Sequence, residues 1–245
     1  MSLTMITDSF KRGIAAGVVA GLAYGLFLAL VGNPLVGHLE HAAHDHAGHG
    51  HTPGVIPELM TGAVSVGSGV LWGILLGAAF GVAYYLFEPS LPGDGSTKAC
   101  VLAGAGFLTV SGVPWLALPP VTPGAEQVLA VDVRLAIYGA MMALGAAICA
   151  LSITLYGRTR SERGPFAAVG IAATPFVLCV IPIALTPTAA LESSGMLALA
   201  FRWLVVLGQI ALWAILAGVY ARLDRRAGGT APSLDDLDDD LTAGV

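Results

Sequence analysis

Six stretches of this chain run without a charged side chain for long enough to cross a bilayer: residues 13–37, 59–87, 99–125, 135–157, 164–191 and 203–221. A helix needs about 20 apolar residues to span the hydrocarbon layer. Inside that layer only helices and closed barrels can satisfy their own backbone. Runs of this length therefore predict an all-α fold, a polytopic membrane helical bundle of six transmembrane helices. Their expected cores are 13–32, 65–87, 99–118, 134–156, 165–186 and 200–221. Composition agrees. Only 11% of residues are charged, against about 25% in soluble domains. The first run is long and glycine-rich, with no small-x-small cleavage site before the segment that follows, so it reads as a span and not as a signal peptide. Residues 227–245, with DDLDDD at 235–240, read as an acidic, disordered cytoplasmic tail that carries much of the net charge of −5.

Charge at the breaks orients the spans. With six crossings, Lys11, Arg12, Lys98, Arg158, Arg160, Arg163, Arg222, Arg225 and Arg226 share one side, and only Arg134 and Arg202 fall on the other. The positive-inside rule then predicts both termini in the cytoplasm of a cell-membrane protein. Arg134 and Arg202 stand at helix starts, where they can snorkel to headgroups or pair with Glu126, Asp132 or Glu192. A carboxylate precedes each descending helix (Glu58, Glu126, Glu192), and VPWLALP (113–119) parallels IPIALTP (181–187). This pattern suggests three tandem helical hairpins.

Glycine recurs every fourth residue in the first span (13, 17, 21, 25) and in the second (69, 73, 77, 81). Steps of four line one helix face, and glycine there lets two backbones meet closely. A tight pairing of these two helices is expected. Pro114 and Pro182 predict kinks that free backbone carbonyls. Gln209 is the one amide side chain inside a span, suited to an interhelical hydrogen bond. Cys100, Cys149 and Cys179 all fall in apolar runs and read as small core residues.

The chemistry is concentrated elsewhere. All six histidines lie between residues 38 and 51, in HLEHAAHDHAGHGH. The loop 33–58 that contains them falls outside in this topology. His38, His41, His44, His46, His49 and His51, with Glu40 and Asp45, form the candidate metal-ligand set. Imidazole with carboxylate suits Co(II), Ni(II) and Zn(II), and the lack of clustered thiolate or methionine disfavours Cu(I). Gly48, Gly50 and Pro53 predict a flexible loop that exchanges ions and not a fixed four-ligand site. The expected partners are a divalent metal ion and the lipid bilayer. There is no basic nucleic-acid-binding patch. There is also no P-loop, no assembled Ser/His/Asp set and no set of separated histidine boxes, so an enzyme is not expected.

Several segments resemble the CbtA family, described as probable cobalt transporter subunits. They are KRGIAAGVVAGLAYGLF (11–27), the histidine and glutamate-bearing loop, VGSGVLWG (66–73) and VPWLALPPVTPG (113–124). The last is similar to a family segment of the form LPPELPG. Here Val121 and Thr122 stand in place of Glu-Leu, which removes a carboxylate. The resemblance implies a multispan subunit that takes up cobalt for cobalamin synthesis with a small single-span partner, CbtB. Two further readings stand beside it. One is a non-transporting membrane metal chaperone, buffer or sensor. The other is an importer for nickel or zinc.

Overall fold

The computed structural model describes residues 3–37, 55–121, 129–185 and 196–228. Every regular element among them is helical. Helix α1 (Leu3–Phe27) runs into a π turn (Leu28–Gly32), and α2 spans Val55–Phe87. After a short 3-10 turn comes α3 (Gly95–Phe107), a second π turn (Leu108–Gly112) and the single-turn α4 (Pro114–Ala117). Helix α5 covers Val131–Leu185 and α6 covers Met196–Gly228. Asp94 caps α3 by accepting from the Thr97 N–H at 3.0 Å. Hydrogen bonds from Thr97 hold its carboxyl below the usual carboxylate range.

Among the described residues, five stretches are long and apolar enough to cross a membrane: Thr4–Gly37, Leu59–Ser90, Gly95–Ala117, Val131–Val177 and Leu199–Ala227. The fourth takes in the whole of the expected run 135–157 and the first half of the run 164–191. The charged segment 158–163, expected as a loop, is helical, because Arg, Glu and Ser all tolerate helix. Only Gly164 leaves helical geometry, with φ 80° and ψ 170°. The chain turns back there. Ser152 and Phe176 line the same cavity, whereas a straight helix would separate them by about 36 Å at 1.5 Å per residue. Helix α5 is therefore two legs joined at a glycine whose positive φ disfavours a side chain.

Helices α1 and α2 pack antiparallel along the two glycine stripes, as expected. A Cβ on Gly17 would overlap the Gly73 carbonyl oxygen and stand 3.0 Å from Gly77 Cα. One on Gly21 would stand 2.9 Å from Gly73 Cα, and one on Gly69 would stand 2.5 Å from Gly25 Cα. The obstructing atoms are mostly backbone, which cannot step aside. In lipid, where apolar burial drives little, this proximity and its dispersion energy hold the pair together.

The core gathers α1, α2, α3 and α6 around Ala16, Ala20, Phe80, Tyr84, Leu212, Leu216 and Tyr220. Gly106 leaves room for the Trp213 ring, which a Cβ would meet at 2.5 Å. The Tyr220 ring lies 5.2 Å edge-on to Phe80 and 4.7 Å from Tyr84, centroid to centroid. Leucines 22, 26, 71 and 75 point outward, which is the expected arrangement where lipid is the solvent.

Of the cysteines, Cys149 is buried. Cys100 is exposed on α3, contrary to the core placement expected from its apolar neighbours. An apolar run does not say which of its faces meets lipid. The Cys179 side chain lies outside the described residues.

Candidate functional site

The glycine-locked pair α1–α2 carries the histidine-rich loop between its ends. His38, Glu40, His41, His44, Asp45, His46, His49 and His51 all lie outside the described residues. The roots of the loop are within them. Asn33 ends the first π turn and faces Ser65 on α2: its amide Nδ2 donates to Ser65 Oγ at 2.9 Å, and Ser65 Oγ lies 3.2 Å from Asn33 Oδ1. This polar clasp closes the α1–α2 seam at the end from which the loop departs.

Beneath it, α1 and α6 enclose two small cavities. One, of about 210 Å³, is lined by Tyr24, Asn33, Val36 and Phe201, and the next, of about 420 Å³, by Tyr24, Phe27 and Gly208. Gln209 Nε2 donates to Tyr24 Oη at 3.2 Å between them. This is the interhelical hydrogen bond that its position in the span predicted. Deeper in, the seam closes on Ala16, Ala20, Leu212 and Leu216, all buried.

Polar groups return at the far end. Ser9 Oγ donates to the Gly81 carbonyl at 2.9 Å and meets Tyr220 Oη. Tyr84 Oη donates to the Gly95 carbonyl at 3.3 Å. Arg12 on α1 pairs with Asp224 on α6, and Lys98 with Glu88 at 3.3 Å. The α1–α6 seam therefore presents hydroxyls and amides at two levels and charges at its end, with an apolar plug between. Among the described residues, no three His, Cys, Asp or Glu side chains come together as a metal-ligand set.

The proline-kinked spans offer no bare carbonyl at Val110. Its natural i+4 donor would be residue 114, a proline with no N–H. Tyr138 on α5 supplies the missing donor. The π turn arises one step earlier, where Val113 N–H reaches back five residues to the Leu108 carbonyl at 2.8 Å. The first π turn has the same form, with Asn33 N–H on the Leu28 carbonyl. The sequences LALVGNP (28–34) and LTVSGVP (108–114) thus repeat a structural unit. This match between spans one and three is not apparent from the likeness of 113–119 to 181–187. Nor are Ser9, Asn33, Ser65, Tyr24, Tyr138 and Tyr220 singled out by any motif in the sequence. A small polar residue or tyrosine within a long apolar run was the available signal.

Glu126 and Glu192, expected near Arg134 and Arg202, lie outside the described residues. Arg134 is half-buried at the start of α5, and its N–H bonds to the Ala130 carbonyl at 3.1 Å.

The family model for the probable cobalt transporter subunit (CbtA) matches residues 7–225, and the chain belongs to that family. No curated protein and no solved structure matches it.

Proposed function

We propose that this chain is the membrane subunit of a Co(II) importer, with six crossings, cytoplasmic termini and an external histidine-rich loop that captures the ion. Membership of the cobalt family supports the cargo. The reversal at Gly164 supports the sixth crossing, because it places arginines 158, 160 and 163 at a turn between two apolar legs. The observation that carries the capture role is where the histidines are inserted. Six imidazoles follow directly on a helix pair whose backbones interlock and whose ends are clasped by Asn33 and Ser65. A ligand-rich loop on rigid roots holds ions at high local concentration beside the bundle. Beneath it, the hydroxyl and amide oxygens of Asn33, Ser65, Tyr24 and Gln209 offer neutral donors to an ion that has shed part of its water. A small single-span CbtB-type subunit is the proposed partner that completes the path past the apolar plug.

Cobalt uptake measured over a wide concentration range, with all six histidines replaced by alanine, tests this reading. A collecting loop affects occupancy and not the transfer step, so uptake falls at low cobalt and recovers at saturation. Collapse of the maximal rate, with the protein still in the membrane, would make the loop an obligatory transport site. Unchanged uptake at every concentration would remove it from transport. Parallel uptake of Ni(II) and Zn(II) identifies the preferred cargo. Cells with and without the chain that accumulate equal cobalt would favour a chaperone, buffer or sensor.

A further inference from the structure

A larger cavity lies away from the histidine loop, between α3 and the two legs of α5. Its volume is about 730 Å³, within the range of small-molecule pockets. The walls are apolar, with Val101, Leu108, Ile153 and Phe176 among them. Apart from Thr97 on α3, the polar side chains lie on the first leg of α5. Arg160 stands at the mouth, its guanidinium carbon 6.0 Å from the Tyr156 ring centroid. Arg158 and Arg163 flank it in sequence, both exposed, against Glu162 and the exposed Asp94. Deeper on the same leg is Ser152, which is buried and whose Oγ has no hydrogen-bond partner among the described residues.

That hydroxyl is unlike its neighbours. Thr154, Ser161 and Thr174 each donate to a carbonyl three residues back, at 2.8, 3.2 and 2.7 Å. Ser152 does not, and a buried unpaired hydroxyl costs about 1–3 kcal/mol. No described residue satisfies it. A divalent cation is the wrong occupant, since the walls are apolar and the mouth carries a guanidinium. Cys149 Sγ is already engaged by the Ala105 carbonyl at 3.7 Å.

We infer that this cavity binds an anionic phospholipid of the cytoplasmic leaflet. Basic pockets between helices at this face suit such headgroups. Side chains lean toward the N-terminus of their helix. In the first leg of α5, in the orientation proposed above, that direction is into the bilayer. Arg160 is accordingly drawn down over Tyr156. The phosphodiester sits on its guanidinium, an ester carbonyl accepts from Ser152 Oγ, and an acyl chain runs along Val101, Leu108 and Phe176. The inference uses the proposed orientation but not the cargo, so it stands or falls separately from cobalt uptake.

The test is native mass spectrometry of the full chain in neutral detergent, with equal amounts of phosphatidylglycerol and phosphatidylcholine. Phosphatidylglycerol is expected to remain bound, with a preference of about tenfold from the charge-assisted contact. Arg160→Gln, at an exposed rim, should abolish the preference. Gly104→Leu should remove binding of both lipids, because Gly104 lines the cavity and a Cβ there meets no atom within 4 Å. Equal retention of the two lipids by the unmodified chain would overturn the proposal. So would a preference that survives both substitutions, or a polypeptide bound in place of lipid and released by Gly104→Leu. Displacement by inorganic phosphate as effective as by phosphatidylglycerol would reduce the site to an anion patch and overturn the acyl contact.

Discussion

Tyr138 donates its hydroxyl to the carbonyl of Val110, the oxygen that Pro114 leaves without a helical donor. A kink in one helix is thus repaired by a side chain from another, and α5 is tied to the π turn of α3. Tyr138→Phe removes the donor and little else. Interhelical hydrogen bonds in membranes are worth on the order of 1 kcal/mol. The variant is therefore expected to lose about that much stability in denaturant titration in micelles. Replacing Pro114 by alanine as well should cost less than the sum of the two, since an N–H at position 114 can serve Val110 itself. Strict additivity would separate the tyrosine from the proline.

The glycine stripes make a sharper test. Gly17→Ala or Gly73→Ala places a methyl group on backbone, and overpacking of this kind costs about 3 kcal/mol. Folded yield and unfolding midpoint should drop together. Gly139 and Gly218 have no atom within 4 Å of a built Cβ. Alanine there should be neutral, or stabilising by up to about 1 kcal/mol. Tolerance at Gly17 and Gly73 equal to that at Gly139 would show that α1 and α2 stand farther apart.

Arg12 and Asp224 join the first and last helices, with side chains 29% and 28% exposed. An ion pair this accessible is worth about 1 kcal/mol or less. Arg12→Gln and Asp224→Asn should each weaken the α1–α6 contact slightly, with a coupling energy of that order in a double-mutant cycle. A coupling of zero would mean the pair is not formed in solution.

Metal capture by imidazole has a definite pH sign. Protonated imidazole cannot ligate, and an unperturbed histidine titrates near pH 6.5. A peptide covering residues 34–54 should bind Co(II), Ni(II) and Zn(II) at pH 7.5 and lose affinity as pH falls below about 6. Calorimetry at the two pH values checks it. Affinity indifferent to pH would point to the carboxylates of Glu40 and Asp45 instead.

Nine basic residues on one side predict a cytoplasmic C-terminus. A reporter fused after Arg226 should be active only in the cytoplasm. One fused at residue 161, in the turn before Gly164, should report the same side. Cytoplasmic activity at residue 161 together with external activity after Arg226 would mean that α5 crosses once and does not double back.

The helical class, the membrane as solvent, the α1–α2 pairing and the family were legible in the sequence, because each rests on a local or periodic signal. Uncharged length identifies a span wherever it packs, and a glycine every fourth residue marks a helix face without reference to the partner. The six histidines are conspicuous for the same reason, being contiguous. Other features needed the tertiary structure. Residues 158–163 look like a loop by charge, yet helix continues through them to Gly164, because the cost of turning is borne by one backbone angle. Pro114 announces a freed carbonyl, but only the approach of α5 brings Tyr138 to it. Arg12 and Asp224 are 212 residues apart, and no periodicity connects them. Ser152 resembles any serine in an apolar helix until the fold encloses it with no partner among the described residues. Such relationships depend on which helix faces meet, and in lipid nearly every face is apolar, so the sequence carries little record of that choice.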